Sequence, residues 1–370
     1  MQPQAEAPRQ IDGSELLLLR PTPLFTLDQM ARYTPDAIFA RHAAAFNPAE
    51  ALGVLSRPDL QRNSVLGVDI GGDKFQSQQY RIIDGRLSPD IHTQGSKIVS
   101  SKENQDKYIE YLKKLCATGI PIGLSIAGPM DDTRIIDLPN LSVLKDAMQT
   151  DYDGDFANIG INAVANDAVA VTMGGSVAAL TEAPSTRSVI VGINGGGWGG
   201  AVLKDGQIWA AEMGHTEADP MIDPYDGTYA EACGVNGAEF TCLEKMAASG
   251  AGIERLWARI TQGEKIDGRK IAERLKNADS LAINLYDNAA IGTAMGLLGF
   301  AKVFDLRDDA EGTAYVLHGG AFRVPHFGQR VEQVLEANLG YKPNVIYTEN
   351  VSPTQNIGLE GAAIAALMAA

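Results

Sequence analysis

Short apolar runs closed by glycine or aspartate alternate along the chain with stretches of three- and four-residue apolar spacing. Ser64 to Ile70 is such a run, ending in Asp69 and the pair Gly71-Gly72; Gln78 to Ile83, a turn at Asp84-Gly85 and a further polar strand follow. This predicts a strand, a glycine turn and a hairpin. A helix is predicted near Lys102 to Ala117, with Tyr108, Tyr111, Leu112 and Leu115 on one face and Gly119 as its stop. Ile120 to Ala127 reads as a buried strand. Ile159 to Val164 is a further apolar run, closed by Asn166-Asp167, and a helical pattern runs from Ala168 to Leu180, so a strand delivers Asp167 to a helix N-terminus.

The plan then repeats. Ser188 to Ile193 is β-branched and ends in Asn194-Gly195-Gly196-Gly197-Trp198-Gly199-Gly200; Ala201 to Lys204, a turn at Asp205-Gly206 and Gln207 to Ala210 complete a second hairpin. Two halves that open alike predict a duplicated α/β architecture with a binding cleft between them. The remainder reads as helical from about Ile253 to Phe304. A strand from Tyr315 to Leu317 ends in His318-Gly319-Gly320, and a helix near Phe327 to Asn338, a strand from Asn344 to Tyr347 and a last helix from Gly358 follow. Residues 1–63 are punctuated by Pro3, Pro8, Pro21, Pro23, Pro35, Pro48 and Pro58, with an Ala-rich helical pattern from about Pro35 to Ala45. They predict an N-terminal extension that packs on the main body or lacks fixed structure. The expected division is extension 1–63, first lobe 64–182 and second lobe 183–370, the last helix returning to the first lobe.

Composition narrows the function. Lys plus Arg is 31 and Asp plus Glu 46, a formal charge of −15, which repels phosphate backbones and anionic lipid. Neither nucleic acid nor a membrane is an expected partner. Leu16 to Leu19 and the Ala-rich run ending at Ala370 are far too short to span a bilayer, and the segment before Leu16 lacks the features of a secretory signal. Three cysteines, Cys116, Cys233 and Cys242, do not make a disulfide framework, and a reducing, cytoplasmic setting fits.

Several motifs have plain alternatives. Gly195, Gly197 and Gly200 satisfy G-x-G-x-x-G, but a strand and hairpin follow where a dinucleotide fingerprint must open a helix. Such a hairpin can still cradle phosphate with its backbone amides. Gly123-Leu124-Ser125-Ile126-Ala127 approximates a nucleophile elbow, but Gly128-Pro129 follows it, which favours a strand end with a required turn. His215, Cys233 and Cys242 are a soft-ligand set one short of tetrahedral zinc; Glu231 is a candidate fourth, and two buried thiols are the simpler account. Asp167 is either a helix cap or a catalytic base.

Taken together these pieces resemble the ROK family (repressor, open reading frame, kinase) of the actin-like ATPase superfamily, from about Val65 to the C-terminus. Val68-Asp69-Ile70-Gly71-Gly72-Asp73-Lys74 is similar to the family's first phosphate segment, D-x-G-G-T-K. Asn194 to Gly200, with Gly195 and Gly196, resembles the second phosphate loop, and His318-Gly319-Gly320-Ala321 the adenosine segment. On the sugar side, Ala127-Gly128-Pro129 and Leu138-Pro139-Asn140-Leu141 resemble the G-P and P-N-L pocket segments. Asn166-Asp167 resembles the N-D pair, in which the Asn holds a sugar hydroxyl and the Asp is the catalytic base. Glu212-Met213-Gly214-His215 and Cys242-Leu243-Glu244 resemble E-I-G-H and C-L-E, whose Glu and His residues bind sugar hydroxyls.

The resemblance implies a two-lobed actin-like fold and an ATP- and Mg²⁺-dependent kinase of a hexose or N-acetylhexosamine, with Asp167 as base and Asp69 organising Mg²⁺ directly or from behind. It leaves open a catalytically weak sugar-binding protein, since Asp73 and Asn194 stand where the family has Thr and a carboxylate repels phosphate unless metal bridges the two. The family's zinc motif, C-x-C-G-x-x-G-C, is interrupted: Glu231-Ala232-Cys233-Gly234-Val235-Asn236-Gly237 is separated by four residues from Cys242, which counts against zinc. The family also contains repressors with an N-terminal helix-turn-helix, but residues 1–63 carry no basic recognition helix. Members are often dimers; the apolar helix of the 280s to 300s is a candidate interface, or plain core.

Overall fold

The computed structural model describes residues 12–26, 43–61, 63–71, 74–90, 97–99, 105–138, 140–211, 213–218, 231–233, 239–352, 354 and 356–370. Expectations on Pro35 to His42, Gly72, Asp73, Lys102 to Asn104, Pro139, Glu212 and Gly234 to Gly237, and on the Lys74 side chain, lie outside what is described.

After the short strand β1 (Ala43–Ala45) comes α1 (Pro48–Leu55). Asn47 caps it by accepting from the amides of Ala49 and Glu50, and Pro48 takes the first helical position, where a missing N–H costs nothing. The first sheet follows with β2 (Ser64–Ile70), β3 (Lys74–Ile83) and β4 (Arg86–Pro89). Asp84 and Gly85 both take positive φ, the conformation that the tight turn between β3 and β4 demands. β5 (Lys97–Val99) pairs with β3. Then come α2 (Asp106–Cys116), β6 (Ile122–Ile126), the hairpin β7 (Met130–Asp131) and β8 (Arg134–Ile135), α3 (Ser142–Tyr152), β9 (Ala163–Asn166) and α4 (Asp167–Glu182). The strand order is β4-β3-β2-β6-β9, with β2, β6 and β9 parallel.

The second sheet repeats the plan with β10 (Ser188–Asn194), β11 (Trp198–Lys204) and β12 (Gln207–Ala211). α5 (Gly250–Ile260), α6 (Gly268–Lys276), α7 (Ser280–Val303), β13 (Thr313–His318), α8 (Phe327–Leu339), β14 (Asn344–Tyr347), α9 (Thr348–Val351) and α10 (Ile357–Ala369) complete it. Its order, β12-β11-β10-β13-β14, matches that of the first sheet strand for strand, and β1 adds to its β12 edge.

One core lies between the sheets, where α4 and α10 contribute Val169, Ala170, Leu359 and Ala363 to a cluster that also holds Val65 of β2 and Val191 of β10. The outer cores hold Tyr108 and Leu112 of α2 against the first sheet and Leu297 and Leu298 of α7 against the second. Residues 12–26 are strapped across α7 and α8. The buried Arg330 guanidinium donates to Asp287 at 2.8 Å, to the carbonyls of Arg20 and Pro21 at 3.1 and 2.7 Å, and to Thr22 Oγ1 at 3.0 Å.

Three expectations are corrected, and one open choice, over α7, is decided. Ala43 to Ala45, expected to end a helix, form β1, because pairing with Gln207 to Trp209 outweighs the helical preference of alanine. Ile159 closes a 3₁₀ turn, Phe156–Ile159, that ends at Gly160 with φ +96°, and the strand begins only at Ala163. The helical stretch from Ile253 is three helices, separated at Thr261 to Asp267 and at Asn277 to Asp279. α7, the candidate interface, is core: Ala289, Ala290, Ala294, Leu297 and Leu298 are fully buried inside the chain itself.

Candidate functional site

The parallel register of β2, β6 and β9 sets Asp69 beside Ser125, and Ser125 beside Ala165, so Asn166-Asp167 leaves the sheet two strands from Asp69. At the usual inter-strand spacing this is roughly 10 Å. Asn166 is the cap of α4: its Oδ1 accepts from Ala168 N at 3.0 Å, and its Nδ2 donates to Gly128 O at 3.2 Å. Asp167 is the first helical residue, and its Oδ1 also accepts from Ala168 N, at 2.9 Å. The cap position therefore belongs to Asn166. Gly128 must be glycine for space, since a Cβ there would come within 2.5 Å of Asp137 O and 2.7 Å of Leu138 Cδ2. Three expected sugar segments thus converge: Gly128, the turn that carries Asn140 into α3, and Asn166-Asp167. Asn140 itself is exposed, and its carbonyl accepts from Gln105.

Asp69 is buried, its Oδ1 accepting from Ser125 Oγ and its Oδ2 from Asn356 Nδ2, both at 3.0 Å. Ser125, 1% exposed, is thus a partner of Asp69 at a strand end and not an accessible nucleophile. Gly71 follows at the end of β2.

The second group of residues surrounds the glycine loop between β10 and β11. Cβ atoms added at Gly195, Gly196 or Gly320 would meet nothing within 4 Å, so the approach to these residues is open. One at Gly319, where φ is +118°, would lie 2.2 Å from Asn194 O, so the loop and the adenosine segment touch through their backbones. The Asn194 side chain departs from its expected place on the nucleotide. It is fully buried, with Nδ2 donating to Ala248 O at 2.5 Å and Thr293 Oγ1 at 3.0 Å, and so anchors the loop to α7. The first turn of α5 donates to the same loop, Gly250 N to Gly195 O at 2.9 Å.

Glu244 lies at the end of the C-L-E segment, in a π-helical turn, Glu244–Ala248. Its Oε2 accepts from Trp198 N at 3.2 Å and sits 3.1 Å from where Cβ atoms of Gly197 and Gly214 would be. One carboxylate therefore joins the glycine loop to the segment carrying His215. The ligand atoms of His215, Cys233 and Cys242 all lie within 4.8 Å of one another, with His215 Nδ1 3.6 Å from Cys233 Sγ. Burial, and next the thiol of Cys233, push the Cys242 thiol up to about 12. Three soft ligands on one face fit tetrahedral zinc, but no fourth joins them among the described residues. Glu231, the candidate fourth, is turned instead to Lys245 at 3.6 Å and Arg259 at 3.5 Å.

Sequence reasoning missed Asn356. Its signal was an Asn two residues before Gly358, a helix-cap pattern that marks the true start of α10.

Two sheets of identical strand order, with charged and glycine-bearing residues at the ends of their central strands, define a two-lobed actin-like ATPase fold. Residues 65–369 match the model of the ROK family, and the chain belongs to that family. No protein of curated function matches it. Among solved structures, it is similar to a ROK hexokinase from Thermus thermophilus, with 23% identity, 82% of this chain and 98% of the other covered, and a TM-score of 0.57. A ROK family glucokinase from Streptomyces griseus, in complex with glucose and AMPPNP, matches at 22% identity over 81% and 98% of the two chains, with a TM-score of 0.56. A ROK family transcriptional regulator, a homologue of the E. coli MLC protein, matches at 15% identity over 88% and 86%, with a TM-score of 0.54.

Proposed function

We propose that the protein transfers the γ-phosphoryl group of ATP to a hydroxyl of a hexose or N-acetylhexosamine, with Asp167 as the general base. The observation that carries this reading is the placing of Asp167 and Asn166 at the end of β9, beside Gly128 and two strands from the buried Asp69. The kinases among the family's structures favour it over the regulators, as does the net charge of −15, which opposes contact with nucleic acid.

In the reaction Asp167 takes the hydroxyl proton as the sugar oxygen attacks the γ-phosphorus and the bond to the bridging oxygen breaks to release ADP, and Asp167 needs no proton of its own to hold its place, because Asn166 caps the helix. The second hydrogen of Asn166 Nδ2 binds an adjacent hydroxyl. Asn140, Glu212, His215 and Glu244 supply the further donors and acceptors that a polyhydroxylated ligand requires. The backbone of Gly71, Gly195, Gly196, Gly319 and Gly320 lies against the nucleotide, with no side chain in the way. Mg²⁺ bound near Asp69 would neutralise charge on the transferring phosphoryl group. His215, Cys233 and Cys242 would hold zinc if a fourth ligand comes from outside the described residues, fixing the His215 ring. A cytoplasmic setting, where ATP and phosphorylatable sugars meet, accords with three free cysteines.

The test is ADP release from Mg-ATP across a panel of hexoses and N-acetylhexosamines, with Asp167→Asn beside it. Sugar-dependent release is expected, lowered ~10² to 10⁴-fold in the mutant with sugar affinity kept. A normal turnover in Asp167→Asn would overturn the mechanism. A second reading, a sugar-binding protein without turnover, is favoured by the buried Asn194 side chain, which leaves the second loop no polar side chain of its own among Asn194 to Gly197. A sugar that raises the melting temperature while no sugar yields ADP decides for it.

A further inference from the structure

Both hydrogens of the Asn356 amide and its oxygen have partners. Its Nδ2 donates to Asp69 Oδ2 and to Gln76 Oε1, each at 3.0 Å, and its Oδ1 accepts from Gly358 N at 3.2 Å as the cap of α10. The orientation is fixed by chemistry, because flipping the amide would set its oxygen against a carboxylate and another amide oxygen and its nitrogen against a backbone N–H. Asn356 and Asp69 are both buried, so neither group exchanges partners with bulk water at low cost.

Asn356 stands where the chain crosses from the second sheet to the first. His318 Nδ1 lies 2.8 Å from Thr348 Oγ1, Ser352 N donates to Thr348 O at 2.8 Å, and Ser352 Oγ donates to Glu360. Thr354 Oγ1, 3.2 Å from Tyr80 OH, also bonds Asn356 O at 3.3 Å. With Ser352 Oγ 3.3 Å from Thr354 Oγ1, these contacts tie the adenosine segment to the backbone of Asn356, whose side chain holds the carboxylate at the end of β2.

We propose that Asn356 is a positioning residue for Asp69: it holds the carboxylate in one orientation and thereby sets the affinity for Mg-nucleotide, without touching the sugar. This rests on the kinase reading. Partners that orient a group acting on metal typically contribute 10- to 100-fold in affinity.

The experiment is calorimetric titration of the full chain with AMPPNP, in Mg²⁺ and in EDTA, for the unaltered protein and for Asn356→Ser, Asn356→Thr and Thr354→Val. Ser and Thr both keep a cap for α10 and add no charge, but their shorter side chains withdraw the donor from Asp69, whereas Thr354→Val disturbs the same segment and leaves that bond. A melting-temperature rise with sugar in each variant shows that it is folded. Expected is a loss of at least ~10-fold in affinity for both Asn356 variants, present with Mg²⁺ and absent in EDTA, and no comparable loss in Thr354→Val. If one Asn356 variant folds poorly, the other decides. Unchanged affinity, or an equal loss with and without Mg²⁺, overturns the positioning role and leaves the kinase reading standing. Failure of the unaltered protein to bind AMPPNP under either condition overturns both.

Discussion

Glu360 sits one turn into α10 with Ser352 Oγ donating to its Oε1 and Thr354 Oγ1 3.4 Å from the same oxygen, and no cation among the described residues pairs with it. Burial raises its carboxyl from 4.5 to about 7, and the two hydroxyls only partly oppose that. Because the folded value lies above the unfolded one, the stabilisation is complete below about pH 4.5 and is lost as pH rises through about 7. A shift of this size corresponds to about 3 kcal/mol. Glu360→Gln keeps the shape without the titration, so denaturation midpoints followed from pH 5 to pH 8 are expected to fall less for the mutant than for the parent. Equal slopes would remove Glu360 from the account. Nothing in the sequence marks this residue: in a run of Gly, Ala and Leu a single Glu reads as the solvent face, and only the enclosure of α10 between two sheets makes it buried. Asn166-Asp167 was legible because an apolar strand, a polar pair and a helix follow one another within twenty residues. Asn356 was not, since its partner Asp69 is 287 residues away.

At the scale of elements, close approach decides where α4 and α10 can lie. A Cβ on Gly361 would come within 1.7 Å of Ala170 O, and one on Gly123 of β6 within 1.7 Å of Ala362 O. Neither obstacle is a flexible side chain, so α10 must move away from α4 if Gly361 gains a methyl group and away from β6 if Gly123 does. Gly361→Ala is expected to destabilise the protein by about 1–3 kcal/mol or more, read as a lower urea midpoint, although alanine is the better helix former. A midpoint that rises would show that helix propensity outweighs the contact. The hairpin of the second sheet was legible from the β-branched run Ser188 to Ile193, the glycines that end it and Asp205-Gly206, because a tight hairpin fixes its own register. The start of the run Ile159 to Val164 misled for a physical reason: Ile159 and Ile161 are buried, but an apolar run reports burial and leaves conformation open. The 3₁₀ turn there is set by Asp155, whose side chain accepts from Ala157 N, and by the left-handed Gly160.

Across the whole molecule, the segment before the family's own residues completes the second lobe instead of standing apart from it. Arg330 is fully buried, and of its acceptors only Asp287 and Gln333 belong to the helices around it; Arg20 O, Pro21 O and Thr22 Oγ1 come from the N-terminal strap. Asn338 is tied to the same strap, donating to Pro23 O at 3.0 Å and accepting from Phe25 N at 2.7 Å. Removing residues 1–26 would strip a buried cation of most of its acceptors. A hydrogen bond to a charged group contributes about 1.5–3 kcal/mol, so the deletion is expected to cost at least about 3 kcal/mol in denaturant unfolding. Arg330→Met in the shortened chain should recover part of that loss, because an apolar side chain of similar volume leaves no charge unsatisfied. In the full chain the same substitution should destabilise, since the strap's carbonyls then lose their donor. That reversal of sign between the two backgrounds separates a strap that satisfies Arg330 from one that merely covers it, and Arg330→Met effects of the same sign in both would refute the former.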